Sequence, residues 1–390
     1  MVKGVTYTAV RLLCAVMVAA LLAGCSAAKF VPDGRYMLDG VELMADTGAV
    51  DASRFEPYVR QRGNSKWLSL AKVPLGVYAM SGRDTTKWLN RRLQALGEAP
   101  VLLDTAQASL TCADLAAALR SEGYLRGTAD YSLEYGRRKK VKVVYSLHPG
   151  RRYTIGGVGC DIADARIDSL LEAKGWRTAL REGAPFETAS LEAERTRLAS
   201  LLNDNGYMNF HKDFVTFTAD TVASGSTVDL TLHLHNPVAP DGGEGAHRRY
   251  TVGSVSYSRA GGGGRVPLRR AVLEENTLVR PGGLYNASDL QETYNRFGRL
   301  PIVRYTNIRF SERGGSDTLD CDIAVSTNKI NSISFQPEGT NTAGDLGAAA
   351  SLTYENRNLF NGAESFSVKL RGAFEAITGL EGYQNQDYEE

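Results

Sequence analysis

The sequence has few cysteines, little net charge and no apolar run long enough to span a membrane as a helix. Its five cysteines leave an odd number after Cys14 and Cys25 in the N-terminal region are set aside, so they cannot form a complete disulfide framework. The 45 Lys and Arg residues nearly balance the 44 Asp and Glu residues, and this net charge of +1 leaves no nucleic-acid-binding footprint. The apolar run of residues 12–22 is shorter than the roughly 20 residues of a spanning helix. These deficits disfavour a disulfide-stabilised domain, a nucleic-acid-binding protein and a helical membrane anchor.

The usual motifs of enzyme sites are also missing. Residues 157–159 lack the third glycine of a dinucleotide fingerprint, and residues 261–264 are not followed by the Lys-Ser/Thr of a phosphate loop. Ser254 and Ser256 have no nucleophile-elbow glycines around them. We therefore predict that the chain is not an enzyme, that it has no catalytic residue and that it needs no cofactor.

Two histidines on one strand leave a metal site open as an alternative. His233 and His235 alternate with Leu232 and Leu234, so both imidazoles lie on the same side of the predicted strand and could share a metal ion. A polar, exposed face explains the same pattern without a metal. We predict no metal site.

The N-terminus has the pattern of a lipoprotein precursor. Lys3 and Arg11 provide a positive region, the apolar run of residues 12–22 follows, and Leu22-Ala23-Gly24-Cys25 resembles a lipobox. We predict a signal peptide over residues 1–24, lipidation at Cys25 and a tether over residues 25–34. No acidic cluster follows Cys25, so we expect a chain anchored in the outer membrane with its domains in the periplasm.

Two short motifs recur at domain spacing. Tyr153-Thr-Ile-Gly-Gly-Val returns as Tyr250-Thr-Val-Gly-Ser-Val, 97 residues later. Glu-Gly-Tyr124 returns as Asn-Gly-Tyr207, 83 residues later, each time at the end of an apolar-periodic helix. Hydrophobic periodicity predicts the order βααββ in each unit. We predict modules at 35–148, 149–236 and 250–328, with a linker at 237–249.

Individual elements follow from local signals. Asp84 is expected to cap the first helix of the first module, which carries Leu89, Leu93 and Leu96 and ends at Gly97. Asn286 is expected to cap the second helix of the third module. A long insertion at 57–82 interrupts the first module. Three cysteines remain, which are Cys112, Cys160 and Cys321. Cys112 and Cys321 fit apolar faces and are predicted to lie in the core.

The C-terminal region changes to a strict two-residue period. Residues 346–354 and 365–375 alternate apolar side chains with small or polar ones, and each run has about the 9 to 11 residues of a tilted membrane strand. A soluble hairpin with one buried face would show the same alternation. We interpret residues 329–390 as the start of an outer-membrane β-barrel and expect the chain to be truncated, because two strands cannot close a barrel.

These patterns together resemble a known family. The tandem modules resemble polypeptide-transport-associated (POTRA) domains, and residues 337–347 and 357–364 resemble the first barrel hairpin of the BamA/TamA family of outer-membrane assembly factors. With the lipobox and residues 97–101, the similarity is to a lipidated TamA-like branch. The fold class is therefore α+β, with tandem βααββ POTRA-like modules followed by the first hairpin of a β-barrel.

The resemblance implies a function without chemistry of its own. Unfolded outer-membrane proteins would dock on the modules by strand addition and be passed to the barrel, with the lipid bilayer and a TamB-like inner-membrane protein as further partners. A scaffold lipoprotein that recruits partners without inserting them is the alternative, and a secreted hydrolase is a third class that has only the export signal in its favour.

The predicted docking residues lie on two edge strands. In POTRA-like modules the first strand after the second helix lies at the sheet edge, which selects residues 214–218 and 305–310. The tentative partner-binding residues are Phe214, Thr216, Thr218, Tyr305, Asn307 and Ile308. Proline at Thr216 or Asn307 is expected to remove an N–H donor from the edge, whereas alanine would keep it.

The lipid anchor can be tested at a single residue. Because one thiol would carry the lipid, Cys25→Ala should leave the precursor unprocessed or release it from detergent-phase membrane fractions. Labelled palmitate gives the measurement, and equal incorporation by the parent and the variant would contradict the prediction.

Overall fold

The structure is a computed structural model that describes residues 27–375, except 47, 49, 68–71, 222–224, 240–241, 262–263 and 343–344. The predicted signal peptide and Cys25 lie outside the described residues, as do residues 376–390. The chain divides into two compact units, between which the elements of the second module are shared. None of the described helices has both the length and the apolar character needed to cross a bilayer.

The described elements form three modules and a C-terminal sheet. The first module contains β1 (Met37–Ala45), a 3₁₀ turn (Ala52–Tyr58), α1 (Val73–Met80), α2 (Trp88–Leu96), α3 (Thr105–Ser121), β2 (Thr128–Tyr135) and β3 (Lys140–His148). The second contains β4 (Thr154–Ile162), α4 (Ala165–Ala173), α5 (Thr188–Asn203), β5 (Val215–Thr221) and β6 (Thr227–Leu234). The third contains β7 (Thr251–Arg259), α6 (Arg270–Glu275), α7 (Ala287–Gly298), β8 (Val303–Glu312) and β9 (Thr318–Thr327). The last sheet contains β10 (Asn331–Thr342), β11 (Asp345–Asn356) and β12 (Phe366–Glu375).

The same sheet topology occurs in every module. The last strand of each module lies in the centre, with orders β1-β3-β2, β4-β6-β5 and β7-β9-β8. The central strand pairs parallel with the first strand and antiparallel with the middle one, as seen for β3 and β9. The connection between the parallel strands contains the helices, which cover one face of the sheet. This arrangement confirms the predicted α+β class with tandem βααββ modules.

Helix starts follow from short polar side chains. Asp104 accepts hydrogen bonds from the N–H groups of Ala106 and Gln107 at the start of α3. Asn286 accepts from Asp289 N–H (2.9 Å) and caps α7 as predicted. Asp84 does not cap a helix, because its carboxylate accepts from Thr86 N–H (3.0 Å) in the turn before α2.

The first module differs from the predicted order of helices. Its core combines one face of the sheet with α3 and with Phe55 and Val59, in and just after the 3₁₀ turn, and it contains no residue of α2. The 3₁₀ turn therefore takes the place predicted for the helix after Asp84. The reason is burial, since Phe55 is fully buried whereas α2 has no buried residue.

The third module buries its cysteine among apolar side chains. β9 alternates buried and half-buried residues, and Leu319, Cys321, Ile323 and Val325 all face the helices. Burial raises the pKa of the Cys321 thiol to about 12. The prediction that Cys321 lies in the core is confirmed, and Cys112 is half-buried beside the core of the first module.

Each pair of neighbouring modules is joined by the recurring sequence motifs. Tyr153 N–H donates to the carbonyl oxygen of Gly123 (2.8 Å), and Tyr250 N–H donates to the carbonyl oxygen of Gly206 (2.8 Å). The arginine before each tyrosine adds a second bond, from Arg152 Nε to Glu122 O (3.1 Å) and from Arg249 Nε to Asn205 O (2.9 Å). Both glycines have a positive φ, 92° and 101°. The two motifs found in the sequence are therefore the two halves of one joint.

The first strand of each module is fixed by a bridge that the sequence did not indicate. Isolated bridges join Met37 to Leu102, Thr154 to Pro185 and Thr251 to Leu284. In each case the segment before the module's long second helix pairs with the start of the first strand. The first module is therefore the same repeat as the other two, despite its insertion.

The C-terminal sheet has one strand more than predicted. β11 and β12 match the two dyad segments, and β10 pairs antiparallel with β11 on its other side. β10 contains Pro337, which breaks the usual pattern of a strand, but it lies at the sheet edge, where a missing N–H is tolerated.

The turn between β11 and β12 packs onto the third module. Asn358 is almost fully buried, donates from Nδ2 to Pro267 O (2.6 Å) and accepts from Ala363 N–H (3.0 Å). Arg269 N–H donates to Asn361 O (2.8 Å), and the Arg269 guanidinium pairs with Glu364 (2.7 Å). Ala363 is part of the module's hydrophobic core. The last sheet is thus attached to the third module by both polar and apolar contacts.

The joint glycines can be tested with a matched pair. Gly123 and Gly175 both have a positive φ, but a Cβ on Gly123 would lie 2.5 Å from the Phe186 carbonyl oxygen, whereas Gly175 has open space. Gly175→Ala should cost about 1 kcal/mol of stability, and Gly123→Ala about 3 kcal/mol, because only the second change also displaces backbone. Urea unfolding and amide exchange at Tyr153 give the measurement. Equal exchange at Tyr153 in both variants would show that the joint does not depend on the absence of a side chain.

Candidate strand-docking site

Two sheet edges contain the residues that the sequence selected. β5 and β8 each have one neighbour, β6 and β9 respectively, so their other sides carry backbone groups without a strand partner. Such groups can pair with an added strand. In an antiparallel strand the N–H and C=O of one residue point to the same side and alternate along the chain. The geometry of each edge therefore decides which residues are available.

On β8, the backbone groups of Ile308 point outward, away from β9. Ile308 N–H donates to the hydroxyl oxygen of Tyr294 (3.0 Å), and the Tyr294 hydroxyl lies 3.4 Å from Ile308 O as a donor. Ile308 lies opposite Ile323 of β9. Because the Ile308 N–H is bonded to Tyr294 instead, these two residues form a pair that does not exchange backbone hydrogen bonds. Thr306 and Phe310 share the outward direction of Ile308. Asn307 and Arg309 direct their backbone groups toward β9.

On β5, the outward groups begin at Val215. Arg195 of α5 donates from Nε to Val215 O (2.7 Å), and its guanidinium pairs with Asp213 (3.1 Å). Phe214 lies in a 3₁₀ turn rather than in the strand, and its carbonyl accepts from His235 N–H (2.8 Å). The alternation that starts at Val215 directs the backbone of Phe217 and Ala219 outward and that of Thr216 and Thr218 toward β6.

The proline test expected from the sequence alone is therefore wrong in its positions. The backbone N–H groups of Thr216 and Asn307 face the neighbouring strand, so proline there would break the sheet rather than remove an edge donor. The Thr216 side chain is already engaged as well, because its hydroxyl is hydrogen-bonded to His235 Nε2 (2.7 Å). Tyr305 is exposed at the edge, and Phe214 packs with its ring against His247 at 4.8 Å.

The second helix of each of these modules reaches over its edge strand. Tyr294 on α7 covers the middle of β8, and Arg195 on α5 covers the start of β5. The sequence analysis identified neither Tyr294 nor Arg195 as a residue that reaches an edge strand. Periodicity finds the face of a helix, but it cannot show that a hydroxyl at the end of that face reaches a backbone amide.

The open face of the third sheet is polar and internally paired. Ser254 donates to Asp320 (2.6 Å), and Ser256 and Ser258 donate to Asp322 (3.1 Å each). Hydrogen bonds from Arg313 and Ser254 lower the pKa of the Asp320 carboxyl.

Two histidines of the second module lie next to each other. The His233 and His235 rings stack at 6.0 Å, and no group of three or more potential metal ligands occurs among the described residues. These side chains account for a solvated sheet surface.

Comparison with curated proteins gives one similarity in sequence. No family model matches the chain. The chain is 23% identical over 265 residues to the outer membrane protein assembly factor BamA of Neorickettsia risticii (strain Illinois). The match covers 64% of this chain and 31% of that protein, so the chain spans about a third of the relative's length. The predicted resemblance to the BamA/TamA family is confirmed by this similarity.

Solved structures of similar proteins include two BamA fragments. POTRA domains 3–5 of Haemophilus influenzae BamA are 17% identical with a TM-score of 0.38, covering 76% of this chain and 99% of that one. Haemophilus ducreyi BamA without POTRA domains 1–3 is 16% identical with a TM-score of 0.41, covering 57% of this chain and 37% of that one.

The role of Tyr294 at the edge can be measured directly. Tyr294→Phe removes the partner of Ile308 N–H, so we expect a loss of about 1 kcal/mol and faster amide exchange at Ile308. Tyr305→Phe is the matched control, because Tyr305 lies on the same strand and is 54% exposed. Unchanged protection of Ile308 in Tyr294→Phe would mean that the hydroxyl does not cover the edge.

Proposed function

We propose that this chain, whose sequence is similar to the BamA/TamA family, acts in the assembly of outer-membrane proteins. The observation that carries this proposal is the similarity to BamA over 265 residues together with the tandem βααββ modules. The modules would receive unfolded outer-membrane proteins at their sheet edges. Backbone pairing suits such clients, because it gives affinity without requiring a particular sequence.

The β5 edge is the better docking site of the two. Arg195 covers only the start of β5, and Phe217 and Ala219 beyond it keep their backbone groups directed outward. On β8 the central residue Ile308 is already bonded to Tyr294. A client strand would have to displace the Tyr294 hydroxyl from β8, whereas it could extend along β5 without removing a bond from its middle.

The C-terminal sheet supports a location at the membrane. Its pairing register places Phe335, Leu352 and Leu370 side by side, and the next ladder along the same face consists of Ile333, Tyr354 and Val368. All six are exposed. An apolar face of this kind on a protein surface marks a contact with another apolar phase.

The opposite face of the same sheet is polar. Glu338 pairs with Arg371 (3.1 Å), and Ser332 donates to Glu355 (3.4 Å). One face for lipid and one for a polar interior is the pattern of an outer-membrane strand. We propose that this sheet contacts the bilayer, that lipid at Cys25 anchors the modules in the periplasm, and that a TamB-like inner-membrane protein is a further partner.

A scaffold role without insertion is the second candidate function. It is favoured by the Tyr294 contact, because a covered edge suits regulated recruitment of a partner better than constant capture of unfolded chains. The two functions differ in their product. Reconstituted vesicles that insert an unfolded barrel protein faster with the chain than without it would exclude the scaffold role.

Docking at β5 can be tested at one exposed residue. Ala219→Pro removes an outward N–H from the edge, whereas Ala219→Val keeps the N–H and suits a strand. Crosslinking to an unfolded barrel-protein peptide should fall about fivefold with proline and stay unchanged with valine, which corresponds to the loss of about 1 kcal/mol from one hydrogen bond. Circular dichroism checks that both variants are folded. Equal crosslinking in the two folded variants would remove β5 from consideration as the docking site.

A further inference from the structure

The first module contains a helix pair, α1 and α2, that lies outside its main core. α1 and α2 follow the 3₁₀ turn, and no residue of either belongs to the cluster that fills the module. Gly97 fixes the pair, since a Cβ there would lie 2.4 Å from the backbone nitrogen of Tyr78 on α1. The pair is thus a rigid addition to the module, and its surface needs a separate explanation.

α2 has its apolar side facing outward. Its half-buried side combines Leu93 with two amides, since Asn90 Oδ1 accepts from Gly82 N–H (2.9 Å) and Gln94 Nε2 donates to Gly82 O (3.0 Å). Its outward side carries Trp88, Leu89 and Leu96, which are 69%, 53% and 76% exposed. A surface helix of a globular protein normally has the reverse orientation, with apolar residues toward the core. Met80 at the end of α1 adds a further exposed apolar side chain.

The charges around this apolar surface are positive. α2 contains Arg91 and Arg92 and no acidic residue, and Lys87 precedes it; all three are exposed. Arg92 lies between Trp88 and Leu96 on the same side, at spacings of four residues. An amphipathic helix with large apolar side chains among arginines and lysines is suited to the interface of an anionic bilayer.

The helix pair also holds the segment that follows Cys25. Ala27 and Val31 are buried with Leu75 and Ala79 of α1. Lys29 Nζ donates to Ser81 O (2.7 Å), and the rings of Phe30 and Tyr78 lie 4.9 Å apart. Two peptide bonds separate Ala27 from Cys25, and a chain of that length reaches at most about 7 Å. A lipid on Cys25 would therefore begin next to this helix pair.

We propose that the outward face of α2, formed by Trp88, Leu89, Arg92 and Leu96, is a membrane-contact surface that binds the headgroup region of an anionic bilayer. It would act together with the lipid at Cys25, which holds the chain on the bilayer, by placing the helix pair against the lipid headgroups. The proposal rests on the proposed function only for the position of the anchor. It also fixes the orientation of the first module, with the helix pair against the membrane.

Tryptophan fluorescence in vesicles tests the contact. The full mature chain carrying Trp67→Phe and Trp176→Phe keeps Trp88 as its only tryptophan. In vesicles of phosphatidylethanolamine and phosphatidylglycerol we expect lipids brominated near the glycerol end to quench Trp88 about twofold, and aqueous iodide to quench it weakly. The chain with Trp67→Phe and Trp88→Phe, which keeps Trp176 in the second module, should show the reverse.

A matched pair of leucines distinguishes binding by the α2 surface from nonspecific binding by any exposed leucine. Leu96 and Leu110 are exposed leucines on helices of the same module. Leu96→Asp should reduce the quenching of Trp88 by brominated lipid to about half, whereas Leu110→Asp should leave the quenching unchanged. Replacing phosphatidylglycerol by neutral lipid should also reduce it, because the arginines would lose their anionic partners.

The anchor and the surface give different readouts. Flotation of the acylated chain with vesicles reports the anchor at Cys25, and quenching of Trp88 reports the surface. Quenching of Trp88 by brominated lipid in a chain that lacks the acyl group supports the surface independently of the anchor, and loss of flotation in the acylated chain counts against the anchor alone. A floated chain whose Trp88 is quenched by iodide and not by brominated lipid overturns the proposal.

Discussion

The structure depends on one repeated joint, in which the glycine that ends one module's second helix accepts a hydrogen bond from the tyrosine that opens the next module. The bond joins Gly123 to Tyr153 and Gly206 to Tyr250, at 2.8 Å in both cases. Only a residue without a side chain fits, because a Cβ on Gly123 would strike the carbonyl of Phe186. The hydrogen bond ties the residue before a module's first strand to the end of the preceding module's second helix.

A second constraint is the need to satisfy backbone groups at the sheet edges. A sheet of three strands leaves two edges, and unpaired N–H and C=O groups there invite pairing with other chains. The second helix limits this exposure by Tyr294 in the third module and by Arg195 in the second. The two contacts cover different parts of their strands, since Tyr294 bonds the middle of β8 and Arg195 bonds the start of β5.

Three surfaces of the chain thus differ in chemistry and suit different partners. The β5 edge offers backbone groups, the last sheet offers an apolar face opposite a polar one, and the helix pair of the first module offers apolar side chains among arginines. The contact of Asn358 and Ala363 with the third module ties the second of these surfaces to the modules. The last sheet is therefore attached to the third module, whereas the β5 edge belongs to the second module.

The sequence by itself determined the repeats and most elements, because these depend on local signals. Periodicity predicted the strands of all three modules, and Asn286 indicated the start of α7. The alternation of residues 346–375 predicted β11 and β12. It missed β10, whose Pro337 is acceptable only at an edge that no local signal reveals. Tertiary structure alone decided the direction of each backbone group, since strand alternation needs one fixed contact, such as that of Ile308 with Tyr294, to set its phase. It also decided that α2 turns Leu89 and Leu96 outward. The same pattern would bury them if another element lay opposite, and periodicity describes a face without stating what covers it.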